Sequence, residues 1–80
     1  MSVTIEDILD RYVRAYLTFY ESRQNPGNIF ERLVGLSEKS AIKIALEKTN
    51  NNQVKAANLL GINRNTLHTK MKKFKLGDEK

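Results

Sequence analysis

The stretch that decides the fold runs from residue 52 to 76, NQVKAANLLGINRNTLHTKMKKFKL. Asn52 is placed to cap a short helix over 53–60, because its side chain can accept an orphan backbone N–H of the first turn. Gly61 then ends that helix at the position where a left-handed residue is needed. Ile62 bridges, and Asn63 caps a last helix running to about residue 75. Leu67, Met71 and Phe74, at i, i+4 and i+7, form the buried stripe of that helix. Ala56 and Ala57 are small enough to let the second helix cross closely over the first. Leu59, Leu60, Ile62, Leu67 and Met71 supply the apolar contacts that lock the crossing. Two short helices across a tight glycine turn make a helix-turn-helix, a unit whose second helix enters the major groove of duplex DNA.

The exposed side of the last helix carries chemistry suited to that task. Arg64, in the first turn, can donate two parallel hydrogen bonds to guanine O6 and N7, worth about 1–3 kcal/mol of discrimination. The amides of Asn63 and Asn65 suit adenine or phosphate, and the hydroxyls of Thr66 and Thr69 suit phosphate oxygens. Lys70, Lys72, Lys73 and Lys75 are expected to meet the flanking backbone. His68 has no serine, cysteine or carboxylate near it in sequence, so it is read as groove-facing or simply exposed, not as a catalytic base.

The charge follows the same division. The 80 residues carry 14 Lys or Arg and 9 Asp or Glu, a net +5. Residues 1–52 hold seven bases and seven acids, whereas 53–80 hold seven bases against Asp78 and Glu79 alone. The whole excess therefore lies in the last third, as a footprint for a polyanion would.

Upstream, residues 4–22 read as a helix. Thr4 and Asp7 have capping-box spacing, with Asp in place of the longer Glu or Gln. Ile5, Ile8, Leu9, Tyr12, Tyr16 and Phe19 follow the helical period, and Val13, Leu17 and Tyr20 widen the stripe. That stripe covers about half the circumference, more than the ~100° a surface helix usually buries, so this helix calls for two partners. Asn25-Pro26-Gly27 marks a turn, with Asn28 as cap for the next segment. Residues 29–49 again show helical spacing through Phe30, Leu33, Val34, Ser37, Ala41, Ile44 and Ala45. Gly35 and the Ser37–Ser40 stretch weaken it, and one long helix is expected in preference to two broken near Leu36.

The remaining classes are narrowed by what the chain lacks. With no cysteine and one histidine, a disulfide scaffold, a thiolate zinc site and a His-rich metal site are excluded. No apolar run reaches the roughly 18 residues of a membrane span, and no signal-peptide pattern opens the chain. No Walker or dinucleotide motif is present, so no cofactor and no small-molecule ligand are expected. The acids Glu6, Asp7 and Asp10 alternate with Arg11 and Arg14 as a solvated face. Two rival classes are a helical protein-interaction module docking through residues 4–22, and a basic amphipathic helix lying on a membrane surface. The expectation is a small, soluble, intracellular domain with no enzymatic activity.

The string at residues 52–76, above all A-A-x-L-L-G-I-N-R-N-T-L, resembles the Fis family of bacterial nucleoid proteins. It also resembles the homologous C-terminal DNA-binding domain of NtrC-type enhancer-binding activators. Two longer helices over about 5–49, in the family order, extend the likeness upstream. The length and the Met1 start look more like a stand-alone Fis protein, although an excised activator domain would look the same. The resemblance implies an all-α fold of four helices in a single domain over 1–80. Residues 4–49 would form the dimerisation core and 52–76 the DNA-binding unit.

The implied homodimer would interlock through Ile8, Leu9, Tyr12, Val13, Tyr16, Leu17, Phe30, Leu33 and Val34. The implied DNA contacts are Asn52, Asn63, Arg64, Asn65, Thr66, His68, Thr69, Lys72 and Lys73. Arg64 would read guanine, Asn63 base or backbone, Thr66 and Asn52 phosphate, and Lys72 and Lys73 the flanking backbone. In the family the two recognition helices lie closer than one turn of straight DNA, so binding double-stranded DNA is coupled to bending it. Transcriptional regulation or nucleoid organisation in the bacterial cytoplasm is the function implied.

Three positions depart from the family pattern. Fis commonly has basic residues where this chain has His68 and Thr69, and a hydroxyl where it has Val54, which removes potential phosphate contacts. The chain also begins almost at its first helix, so the invertase activation tied to the family's N-terminal hairpin arm is not carried over.

Overall fold

The structure, a computed structural model, describes residues 2–23 and 27–76. The expected turn residues Asn25 and Pro26 and the tail 77–80 lie outside the described residues. Four helices follow in order, α1 (Ile5–Glu21), α2 (Ile29–Lys48), α3 (Gln53–Leu60) and α4 (Arg64–Phe74), with no strand among the described residues. The chain divides into two compact units, residues 1–34 and 35–80, each described by itself.

In the first unit, α1 starts where its cap dictates. Thr4 Oγ1 accepts the Asp7 N–H and Asp7 Oδ2 accepts the Thr4 N–H, both at 3.0 Å, so the shorter Asp closes the capping box. No residue of α1 is buried. Ile5, Ile8, Leu9, Tyr12, Leu17 and Phe19 are exposed, and only Val13, Tyr16 and Tyr20 are half-buried. The tyrosines stack along the helix, with ring centroids 6.2 Å apart for Tyr12–Tyr16 and 5.0 Å for Tyr16–Tyr20. Phe19 meets Tyr20 edge-on at 4.8 Å, and the Arg23 guanidinium lies 4.2 Å over the Phe19 ring. Partial burial, then the adjoining Tyr20 phenol, pushes the Tyr16 hydroxyl above its ordinary range, against the opposing pull of Arg32. The ladder is therefore an uncharged, apolar surface.

The start of α2 belongs to this unit as well. Asn28 Oδ1 accepts the Glu31 N–H at 3.1 Å while its amide donates to Glu31 Oε1 at 2.8 Å. Asn28 thus caps α2 as expected, with Glu31 answering from the first turn.

In the second unit α2 runs unbroken through Gly35, as expected. The core joins Ile42, Ala45 and Leu46 of α2 to Ala56 and Ala57 of α3 and Leu67 and Met71 of α4. Leu60, Ile62, Phe74 and Leu76 pack against it. Leu67 is the largest fully buried side chain, at 0% exposure, seated where the two alanines leave room.

The α2 contribution corrects the spacing read from the sequence. Ala41 and Ile44 are exposed, while Ile42 and Leu46 are buried. At ~100° per residue, the line Ile42–Ala45–Leu46 lies roughly a third of a turn from the line Phe30–Leu33–Val34–Ser37–Ala41–Ile44. Helix α2 carries two apolar lines, and the one that closes this core is the shorter.

Three helix ends in this unit are closed by one device, a left-handed residue whose follower bonds back across the last turn. Asn50 (φ 54), Gly61 (φ 72) and Lys75 (φ 57) are the left-handed residues, with Asn51 (φ 65) extending the first. The bonds are Asn51 N–H to Leu46 O at 2.8 Å, Ile62 N–H to Ala57 O at 3.0 Å, and Leu76 N–H to Met71 O at 2.8 Å. Thr49 Oγ1 donates to Ala45 O at 2.9 Å and further secures the first of these ends.

Candidate nucleic-acid interface

Helices α3 and α4 are each started by an asparagine. Asn52 Oδ1 accepts the Lys55 N–H at 3.0 Å, and Asn63 Oδ1 accepts the Asn65 N–H at 2.6 Å. Engaged in this way, each oxygen has one lone pair and its orientation committed to the cap, and the amide NH2 is the freer group for a ligand. A bidentate grip on adenine needs both the oxygen and the NH2 of an asparagine. Asn63 is therefore better suited to phosphate, and Asn65 is the residue with a complete amide to offer.

All of the residues expected at the interface, Asn52, Asn63, Arg64, Asn65, Thr66, His68, Thr69, Lys72 and Lys73, are exposed. Helical geometry sorts those on α4. With Leu67 and Met71 buried, Asn65 and Thr69 form the outer ridge on the opposite side. Arg64, His68 and Lys72, at i, i+4 and i+8, run along one flank, and Thr66 and Lys73 lie along the other. Asn52 stands apart as the cap of α3, beside the exposed Val54. The first turn of α4 holds no acid, and Arg64 is paired with none among the described residues. A helix N-terminus already presents orphan N–H groups and a positive dipole end, so Arg64 reinforces an anion-attracting end.

Lys70 departs from its expected place. It is half-buried, and its Nζ lies 3.3 Å from Glu38 Oε1 of α2. It therefore faces the seam between α2 and α4 and not the outer ridge with its neighbours. Glu38 escaped the sequence reading altogether, since nothing local connects residues 32 positions apart.

The membrane-surface alternative loses its apolar side here. Leu67 and Met71 are buried and Phe74 packs on the core, so the side of α4 opposite its lysines is already covered. No described helix is long and apolar enough to cross a membrane. Among the described residues there is no group of three or more His, Cys, Asp or Glu able to hold a metal ion.

A glycine-turned helix pair, locked by an alanine pair and presenting an acid-free first turn, defines a helix-turn-helix protein. Residues 34–74 match the family model described as "Bacterial regulatory protein, Fis family". The chain is 33% identical over 76 residues to "DNA-binding protein Fis" of Haemophilus influenzae (strain PittEE), covering 95% of this chain and 76% of that protein. It is 36% identical over 72 residues to a "Putative Fis-like DNA-binding protein" of Ralstonia nicotianae, covering 90% of this chain and 87% of the other. It is also 35% identical over 73 residues to "DNA-binding transcriptional regulator NtrC" of Rhizobium meliloti, where it spans 91% of this chain but only 15% of the regulator. No solved structure matches it. The chain belongs to the Fis family, a family of helix-turn-helix DNA-binding regulators.

Proposed function

We propose that this protein binds duplex DNA as a homodimer, bends it, and so regulates transcription or organises the nucleoid in the bacterial cytoplasm. The observation that carries the DNA reading is the first turn of α4. Asn63, Arg64, Asn65 and Thr66 are exposed on a helix anchored by the fully buried Leu67. A rigid scaffold beneath exposed donors is what base readout requires, because each contact must be held in place before the groove is met. Arg64 reads guanine, Asn65 offers a complete amide to a neighbouring base, and Asn52, Asn63 and Thr66 hold phosphates. Lys72 and Lys73 meet the flanking backbone, with His68 and Thr69 as weaker contacts beside them. Val54 supplies no hydroxyl next to Asn52, which subtracts one phosphate contact per subunit.

The dimer reading is supported by the uncovered stripe of α1. Ile8, Leu9, Tyr12 and Leu17 are exposed, Phe30 is 76% exposed at the start of α2, and Val34 is exposed on the second apolar line of that helix. Val13, Tyr16 and Leu33 are half-buried and complete the surface. Exposed apolar side chains in this number mark an interaction site in a folded protein. A second copy would cover all of it at once and satisfy the two-sided demand of α1. Family relatives named as DNA-binding proteins support the DNA reading, not the dimer. Two-fold pairing places two copies of α4 on one duplex, and a spacing shorter than a helical turn makes bending the condition for both to engage.

A gel-shift titration on circularly permuted duplexes, beside sedimentation of the protein alone, tests all three parts. The expected result is a dimer, one dimer per site, and a mobility that varies with the position of the site. A monomer at micromolar concentration removes the dimer, and position-independent mobility removes the bend. Affinity that barely changes with salt removes the polyanion reading itself.

A further inference from the structure

We infer that Glu38 is a positioning residue that holds Lys70 out of the DNA interface, so that α4 meets phosphate with one cation fewer than its sequence advertises. The inference rests on the DNA-binding reading above. Between Arg64 and Lys75 there are five cations and no acid, yet they are not equivalent. Arg64, Lys72, Lys73 and Lys75 are exposed, whereas the Lys70 side chain is 32% exposed and lies 3.3 Å from Glu38, itself 37% exposed. This is the one ion pair among the described residues.

Its place in the α2–α4 seam gives the pair its role. On one side of it, a Cβ built at Gly35 would meet the Phe74 ring at 4.0 Å. On the other, Ile42 joins Leu67 and Met71 in the core. Glu38 and Lys70 thus sit between two apolar contacts that run antiparallel along the seam. Apolar packing is non-directional and tolerates a small roll of one helix on another. The Glu38–Lys70 pair adds one directional contact across that seam and keeps the Lys70 ammonium on it. Half-burial also screens the pair less than a fully exposed one. For Lys70 to reach a phosphate, Glu38 would be left half-buried, without its partner, and close to a polyanion. The pair therefore survives DNA binding, and Lys70 stays inside the protein's own electrostatics.

Fluorescence-anisotropy titrations of a labelled duplex, with the full chain over a range of salt concentrations, test this. The set is wild type, Lys72→Ala, Lys70→Met and Glu38→Gln, each with its thermal midpoint recorded to establish folding. Lys72→Ala should reduce the slope of log affinity against log salt by about 0.9 per DNA-bound subunit. Lys70→Met should keep the wild-type slope. Glu38→Gln, which releases Lys70, should steepen the slope by up to about 0.9 per subunit and raise affinity roughly five- to tenfold per subunit at about 0.1 M salt. The double variant Glu38→Gln/Lys70→Met should return to the wild-type slope.

The inference is overturned if Lys70→Met loses as much slope as Lys72→Ala, or if Glu38→Gln leaves the slope where it was. In either case a salt-dependent wild type keeps the DNA reading intact. A wild type whose duplex binding does not respond to salt overturns both together. Both side chains are about one-third exposed, so the substitutions open no cavity. Should Lys70→Met nonetheless melt early, Lys70→Arg keeps the pair and should keep the slope, and a steeper slope in that variant counts against the inference.

Discussion

The units 1–34 and 35–80 use similar amounts of apolar sequence to opposite ends. In the second, seven side chains from three helices are buried against one another and four more pack around them. In the first, α1 has a longer apolar stripe than any helix of the second unit and buries none of it. Helix content is thus a poor guide to where a chain finds its stability. Helix α1 is well formed locally, through the Thr4–Asp7 cap and its tyrosine ladder, yet none of its residues is buried. The helix-turn-helix closes its core with α2 of the same unit, and the outer side of α4 stays exposed.

The sharpest way to break that contrast is to truncate one apolar side chain in each unit. Leu67→Ala should destabilise the second unit by about 2–5 kcal/mol, as expected for a large buried residue replaced where its neighbours cannot collapse. Ile8→Ala, a comparable truncation at a 57% exposed position, should cost no more than about 0.5 kcal/mol in the dissociated chain. Urea unfolding followed by circular dichroism at low protein concentration reads both. Equal costs would mean that α1 is packed within its own chain after all. Next in size is Arg64→Ala, which should weaken specific duplex binding by about 1–3 kcal/mol and relax preference at one base of each half-site. Its unfolding midpoint should stay unchanged, because Arg64 is exposed and makes no ion pair among the described residues.

Two glycine substitutions then refine the comparison. Gly61→Ala should cost about 1–2 kcal/mol through its left-handed backbone alone, since nothing lies within 4 Å of the added carbon. Gly35→Ala should act in the other direction. Gly35 lies inside α2, its φ is not in the left-handed region, and the added methyl would meet Phe74 at ordinary contact distance. A gain of up to about 1 kcal/mol in unfolding free energy is expected, the difference in helix propensity. A loss at Gly35 would mean that the seam between α2 and α4 is tighter than 4.0 Å suggests.

Most of the local structure was legible in the sequence because its causes are local. Thr4, Asn28, Asn52 and Asn63 are short polar side chains placed one residue before their helices, and each accepts a backbone N–H there. Gly61 is left-handed where the helix-turn-helix spacing required it. The run Asn50-Asn51-Asn52 offers turn conformers in the sequence, whereas the left-handed Lys75 is not advertised by its residue type. What the sequence misplaced depends on tertiary choice. Periodicity in α2 favours the line through Ala41, Ile44 and Ala45, of which Ala45 alone reaches the core, beside Ile42 and Leu46. A helix with two apolar lines does not say which one its own chain will cover. Lys70 was grouped with its neighbours for the same reason, because its partner lies on another helix.

The three left-handed helix ends have a kinetic meaning as well. Each end is set by hydrogen bonds spanning no more than five residues, and the two reversals at 50 and 61 join helices that are neighbours in sequence. Contacts this local are found by a chain without closing large loops, and helical units dominated by them fold in microseconds to milliseconds. Helices α3 and α4 should therefore be in place early, ahead of any slower, concentration-dependent encounter of the kind proposed through α1. On the proposed dimer reading, a newly made subunit would carry a finished reading head before it has a partner.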